Sequence, residues 1–385
     1  MKRFHKMPQI TGLEEMKVAS SVKRGGLIFL SLLVASSEAF LLKPQQQQQH
    51  EKRRDHACIE RHVVNASDGT RLTTIVVIPY PCDGKYPAVI DRSPYGPALD
   101  LLDLVYVPEG FTAIIQNQRG CFTSGGDYNF WKQDGSDALD TMRWFVDTQP
   151  TSNGDLFISG ASADGISAFS DYTINNTLIK GYSTIWATAF AHETCYWGGA
   201  YREDLISHWL LTLDTCPNSA NIEVQVRENE GYNDWWAPIE ATPETLANVN
   251  APGVSQAGWW DIFLQGQIDT FEATRQYAQE GVRDQQWLWI IPGGHCTGDE
   301  STFGYPKFES LESWPAMAAQ VFAQEWDHRI FEVAGRYNVY VMGPVPLYST
   351  SEQRQTHVGN CESVSHSFIH SFSQSVSQSV SLQQK

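Results

Sequence analysis

The sequence predicts an α/β architecture: a doubly wound, mainly parallel sheet with helices on both faces and a helical cap inserted late in the chain. Three observations carry this expectation. Short apolar runs alternate with stretches of helical periodicity between residues 86 and 291. Hydrophobic residues make up 42% of the 385, enough to bury one large core. A serine flanked by glycines sits where a strand-like run gives way to a helical one.

Residues 57–64 and 71–79 alternate in a strand-like way around the turn Asn65-Ala66-Ser67-Asp68-Gly69, which predicts an antiparallel hairpin. Strands are expected at 88–90 and 112–115, then a helix at about 136–147 with Leu139, Met142 and Val146 on one face. A strand at 156–158 and a helix at about 164–175 follow. Next come strands at 182–186 and 253–257, a helix at about 264–280 and a strand at 287–291. The stretch of about 190–247 is rich in Trp, Tyr, Asn and acidic residues, breaks the alternation, and is expected to be the cap.

The ends read differently from the middle. Residues 27–35 form an almost unbroken apolar run behind Lys23 and Arg24, and Ser37-Glu38-Ala39 places small residues where a signal peptidase reads. Residues 1–39 are therefore expected to be a secretory signal cleaved after Ala39, with Met16 as the expected start and an uncleaved signal anchor as the alternative. Residues 40–55 form a polar linker, and 56–335 the catalytic domain. Residues 351–385 are Ser/Gln/His-rich without an apolar period; they are expected to be disordered, or to be intron-derived or frame-shifted sequence.

Of seven cysteines, six lie outside that tail, and an even number behind a signal favours disulfides. The open ends of the hairpin bring Cys58 to Cys82; Cys195–Cys216 is the second pairing expected. Asn65-Ala66-Ser67 and Asn175-Asn176-Thr177 are glycosylation sequons, usable only in the secretory pathway. A net charge of −17 makes nucleic acid an unsuitable partner. No apolar run reaches the roughly 18–20 residues that span a bilayer.

The chemistry centres on Ser159-Gly160-Ala161-Ser162-Ala163-Asp164-Gly165, directly after the strand at 156–158. Glycines at −2 and +3 allow a tight strand-to-helix turn that pushes the Ser162 hydroxyl out at the carboxyl edge of the sheet. A serine needs a base, and the base an orienting carboxylate. The strand ending in Gly258-Trp259-Trp260-Asp261 supplies the acid, and the one ending in Gly293-Gly294-His295 the base, in the order Ser, Asp, His. His192, His208 and His328 are rivals, but none follows a strand end in that order. His192-Glu193 has no partner at metal-ligand spacing, and no cofactor is implied.

A run of motifs resembles one family. It comprises Ser93-Pro94-Tyr95-Gly96, Gln118-Arg119-Gly120-Cys121-Phe122-Thr123-Ser124-Gly125-Gly126, Asp134-Gly135-Ser136-Asp137, Gln149-Pro150, Ser152-Asn153-Gly154, the serine elbow, Gly258-Trp259-Trp260-Asp261 and Gly294-His295. Over about residues 57–345 the chain resembles the cocaine-esterase and Xaa-Pro dipeptidyl-peptidase group (CocE/NonD type) of the α/β-hydrolase fold. That resemblance implies an acyl-enzyme mechanism with Ser162, His295 and Asp261, and an oxyanion hole made by the Ala163 backbone N–H and the Tyr95 hydroxyl. Arg119 and Asp134, beside glycine turns, are read as structural. Family relatives that cleave α-amino acid esters carry acids two and three positions after the triad aspartate; here Phe263 and Leu264 stand there.

The family also implies a C-terminal β jelly roll. Residues 336–350 are expected to begin it, after which the resemblance stops, so that domain is missing or truncated in this sequence. The substrate implied is a small ester or a short peptide, and Glu193, Glu203 and Asp204 are the acidic candidates for binding a free amino terminus. The alternative function is a non-catalytic binding protein that keeps the fold.

Overall fold

The computed structural model describes residues 57–96, 106–295 and 337–339, all within the unit Leu42–Lys385. The expected signal, linker and tail, together with Cys296, His328 and Cys361, lie outside the described residues.

The first two alternating runs pair antiparallel as β1 (Cys58–Asn65) and β2 (Arg71–Ile78), in register from Cys58 opposite Ile78 to Asn65 opposite Arg71. Then come β3 (Tyr86–Ser93), β4 (Thr112–Asn117), helix α1 (Asp134–Thr148), β5 (Ser152–Ala161), helix α2 (Ala163–Thr173) and β6 (Ile179–Ile185). After the cap, β9 (Gly253–Trp260), helices α7 (Leu264–Tyr277) and α8 (Glu280–Arg283) and β10 (Gln286–Gly294) follow. The sheet order is β1-β2-β4-β3-β5-β6-β9-β10-β11, with β11 spanning Tyr337–Val339. Only the β1–β2 and β2–β4 pairs are antiparallel; the others are parallel.

Both faces of the sheet are covered, as parallel strands require. On one face Ala88, Ile90, Ile114, Leu156 and Ile158 pack with Met142 and Phe145 of α1 and Phe169 of α2 in a single cluster. The register puts Ala257, Leu288 and Ile290, packed with Phe271 of α7, on that same face, and the opposite face buries Val89, Ile115, Phe157 and Val254.

An ionic knot ties α1 and α2 to the sheet. The Arg92 side chain on β3 is wholly buried among Asp171 at 3.2 Å, Asp137 at 3.5 Å and Asp134 at 3.6 Å. Burial opposes the charge on the guanidinium, but the three aspartates outweigh it and hold Arg92 ionised. Arg119 makes a fork to Asp137 at 3.0 and 2.6 Å and reaches Asp68 at 2.7 Å. Asp134 accepts from Gln118 at 2.9 Å and from the Ser167 hydroxyl. Arg119 and Asp134 thus have the structural role expected of them, and Arg92 is the unforeseen centre.

Between β6 and β9 the chain leaves the sheet for the cap. It contains α3 (Ala191–Cys195), the small hairpin β7 (Tyr196–Trp197) and β8 (Ala200–Tyr201), α4 (Glu203–Thr212), α5 (Ser219–Glu228) and α6 (Pro243–Leu246). Trp236 is its most deeply buried large side chain.

Two expectations are corrected. Cys58–Cys82 forms as the hairpin geometry suggested, but Cys216 pairs with Cys121, and Cys195 is a buried free thiol. The reason is local: Phe122 N–H donates to Thr215 O at 2.7 Å, which lays the turn after β4 against the cap beside Cys216. Residues 337–339, expected within the first strand of a separate β domain, instead pair in parallel with β10. The open edge of β10 offers unpaired N–H and C=O groups that a further strand satisfies. Among the described residues no helix is long and apolar enough to cross a membrane.

Candidate active site

Ser162 is the single residue between β5 and α2. Its backbone has φ 56° and ψ −123°, a sparsely populated region that costs a non-glycine residue about 1–3 kcal/mol. Two hydrogen bonds hold it there: Ser162 N–H to Ile185 O at 2.9 Å, and Ile166 N–H to Ser162 O at 3.0 Å. The flanking glycines are steric necessities. A Cβ on Gly160 would fall 2.3 Å from Asp164 O, and one on Gly165 would fall 2.6 Å from the Ala187 Cβ. The second glycine is needed at +3 because α2 crosses the chain leaving β6 there.

Asp261 directly follows β9 and His295 directly follows β10. These strands are parallel neighbours, so both side chains leave the carboxyl edge at which Ser162 stands. A register shift between Ile291 and Gly294 turns the end of β10 just before His295. His295 Nε2 lies 2.9 Å from Ser162 Oγ, and His295 Nδ1 lies 3.2 Å from Asp261 Oδ2. The Asp261 side chain is fully buried and that of His295 is 22% exposed. The second Asp261 oxygen accepts the Phe263 N–H at 2.6 Å, which fixes the carboxylate plane. A carboxylate only accepts, so Nδ1 carries the imidazole proton and Nε2 turns its lone pair to the Ser162 hydroxyl. The Phe263 ring, its centroid 5.2 Å from that of the imidazole and the two planes at 75°, walls the site.

The two remaining expected residues stand on the same edge. Ala163 is buried and opens α2, so its N–H is one of the orphan donors of that helix end. Tyr95 follows β3, and its hydroxyl oxygen accepts the indole N–H of Trp209, on α4, at 2.8 Å. Trp209 was not foreseen, since one Trp in an aromatic-rich cap carries no distinguishing signal.

The rival histidines are engaged elsewhere. The His192 ring is 2.8 Å from Glu230 O and stacks on Tyr196, while His208 is exposed beside Asp204. Glu203 and Asp204 are exposed on the outside of the cap. Glu193 instead lines a narrow crevice of about 10 Å³ with Thr188, Thr194, Arg202, Phe263 and Gly266. Burial pushes the nearby Glu240 carboxyl up to about 8, against the pull of the His192 N–H that it accepts. No three metal-ligating side chains cluster among the described residues.

The strand order of the sheet defines the class of fold, that of the α/β hydrolases. More particularly, the chain belongs to the X-Pro dipeptidyl-peptidase (S15) family, whose model matches residues 68–297. It is 22% identical over 279 residues to the cocaine esterase of Rhodococcus sp. (strain MB1 Bresler), a match covering 58% of this chain and 48% of that protein. The chain therefore spans about half the length of this curated relative.

Among solved structures, an aminopeptidase from a marine sediment archaeon (Thaumarchaeota archaeon) is 17% identical, with a TM-score of 0.58 over 74% of this chain and 57% of that one. A CocE/NonD family hydrolase from Staphylococcus aureus is also 17% identical, with a TM-score of 0.60 over 74% and 53%. At such identity these two likenesses speak for the fold alone.

Proposed function

We propose that the chain hydrolyses small esters or short acyl-peptides through an acyl-enzyme, with Ser162 as nucleophile, His295 as general base and acid, and Asp261 orienting the imidazole. The observation that carries this reading is the unbroken line from Ser162 Oγ to His295 Nε2 at 2.9 Å and from His295 Nδ1 to Asp261 Oδ2 at 3.2 Å. In the first half-reaction Ser162 Oγ bonds to the substrate carbonyl carbon while its proton passes to His295 Nε2. That proton then goes to the leaving oxygen or nitrogen as its bond to the carbonyl carbon breaks. Water repeats the sequence on the acyl-enzyme and restores Ser162. Negative charge on the carbonyl oxygen is met by the Ala163 N–H and the Tyr95 hydroxyl.

For the substrate, an ester is the first reading and an Xaa-Pro peptide the second. The second is supported by Glu193, an exposed acid on the crevice that Phe263 also lines, which would offer its charge to a substrate ammonium. The two disulfides and the exposed sequon asparagines Asn65 and Asn175 support a secretory route.

Ser162→Ala tests the nucleophile. It should abolish labelling by a fluorophosphonate and lower kcat at least about a thousandfold, because triad members act as a unit. Near-normal turnover by the variant on a p-nitrophenyl ester would refute the assignment. The ratio of ester to Xaa-Pro-p-nitroanilide turnover by the unmodified chain then decides the substrate class.

A further inference from the structure

We propose that Trp209 of the cap is the positioning residue for the second oxyanion donor, orienting the Tyr95 hydroxyl through the indole N–H. This rests on the reading of Tyr95 given above.

The contact itself constrains the proton. An indole nitrogen only donates, so at 2.8 Å the Tyr95 oxygen must be the acceptor and its own hydrogen must be directed away from Trp209. A phenol that accepts a hydrogen bond is also polarised into a better donor. Trp209 therefore acts on the direction and the strength of the Tyr95 O–H, without having to touch a substrate.

The surroundings fix Trp209 with unusual effort. Its ring stacks on Trp131 at 5.3 Å between centroids and 3° between planes. Trp131 and its neighbour Phe130 both have left-handed backbones, with φ 62° and 59°, and both are buried. Two consecutive bulky residues in that region are strained and persist only where the surroundings over-determine them. The strained pair presents two rings to Trp209, since Phe130 also lies 6.3 Å from it. The segment is anchored in turn to the ionic knot, because Asp134 N–H donates to Trp131 O at 3.0 Å.

Tyr95 is held from its other side by the same cap. Cys216 Sγ, within the disulfide to Cys121, lies 3.5 Å from Pro94 O. The Phe122 ring covers Gly96 so closely that a Cβ there would fall 2.3 Å from its Cζ. Phe122 is a third aromatic with a left-handed backbone, φ 53°. The Pro94-Tyr95-Gly96 turn is thus clamped between the cap and the chain leaving β4, with Trp209 supplying the contact to the reacting hydroxyl.

The test is a double-mutant cycle on the full chain with p-nitrophenyl butyrate. Trp209→Phe keeps an aromatic ring for the stack and removes the donor; kcat should fall about two- to twelvefold, with KM within about twofold. In a Tyr95→Phe background, itself slowed about 10²–10³-fold, the Trp209 substitution should change kcat by less than about twofold. Should Trp209→Phe melt early, 3-benzothienylalanine placed at position 209 by codon suppression exchanges only the N–H for sulfur and should give the same pattern.

Equal fold losses in both backgrounds, or an unchanged kcat in the single variant, would overturn the inference. A Tyr95→Phe enzyme of normal turnover that still labels with fluorophosphonate removes Tyr95 and this inference together while leaving the triad reading intact. Loss of that labelling in the unmodified chain removes both.

Discussion

Glu240 braces α3 by accepting the His192 backbone N–H, and burial raises its carboxyl to about 8. The consequence for stability has a definite sign. An unfolded chain releases this proton near the ordinary value of 4.5, whereas the folded chain keeps it until about pH 8. The stability tied to the protonated carboxyl is complete below about 4.5 and is lost as pH rises through 8. Glu240→Gln keeps an acceptor for His192 and cannot ionise. It should melt above the unmodified protein at pH 9, by about 1–2 kcal/mol for a half-buried group, and alongside it at pH 4. Equal thermal melts at pH 9 would contradict this. Ser162, Asp261 and His295, which the fold brings within hydrogen-bond distance, could be singled out at this scale because each follows an apolar strand run. Arg92 could not, since its three aspartates lie 42, 45 and 79 residues away.

Among elements, the cap is the one whose outline could be read and whose attachment could not. Its boundaries showed as a loss of strand and helix alternation, but the pairing of Cys216 depends on how the cap folds over the turn after β4. Cys58 and Cys82, 24 residues apart, were legible from hairpin geometry; Cys121 and Cys216 are 95 apart and needed the tertiary fold. The same separations predict unequal energies. Closing the longer loop should stabilise by about 1 kcal/mol more in the chain-entropy account. A Cys121→Ser/Cys216→Ser chain should therefore lose about 2–4 kcal/mol in urea unfolding, somewhat more than the Cys58→Ser/Cys82→Ser chain. The opposite ranking would show that the cap folds onto the sheet without needing its tether.

At the scale of the whole molecule, a mainly parallel sheet followed from short apolar runs alternating with helical stretches. The position of each strand did not, because β3 and β4 exchange places relative to chain order, and periodicity carries no information on neighbours. The placement of Tyr337–Val339 beside β10 was equally hidden, for a strand run does not name the edge that it joins. Asn65 and Asn175 both lie exposed, within reach of a glycosyl transferase. Expressed through a secretory route, the chain should begin at Phe40 and lose mass on treatment with an N-glycosidase. An unglycosylated cytosolic chain starting at Met1 or Met16 would exclude the secretory reading.

Ser162 and His295 are 133 residues apart, and the strand that delivers the histidine is laid down long after the serine's own elbow. During synthesis at about 5–20 residues per second, about 7–27 s separate the two. Through that interval a growing chain holds Ser162 on its turn without the proposed base. On the mechanism proposed above, the chain stays silent until β10 and the His295 that follows it have been made, and a chain ending before them would remain so.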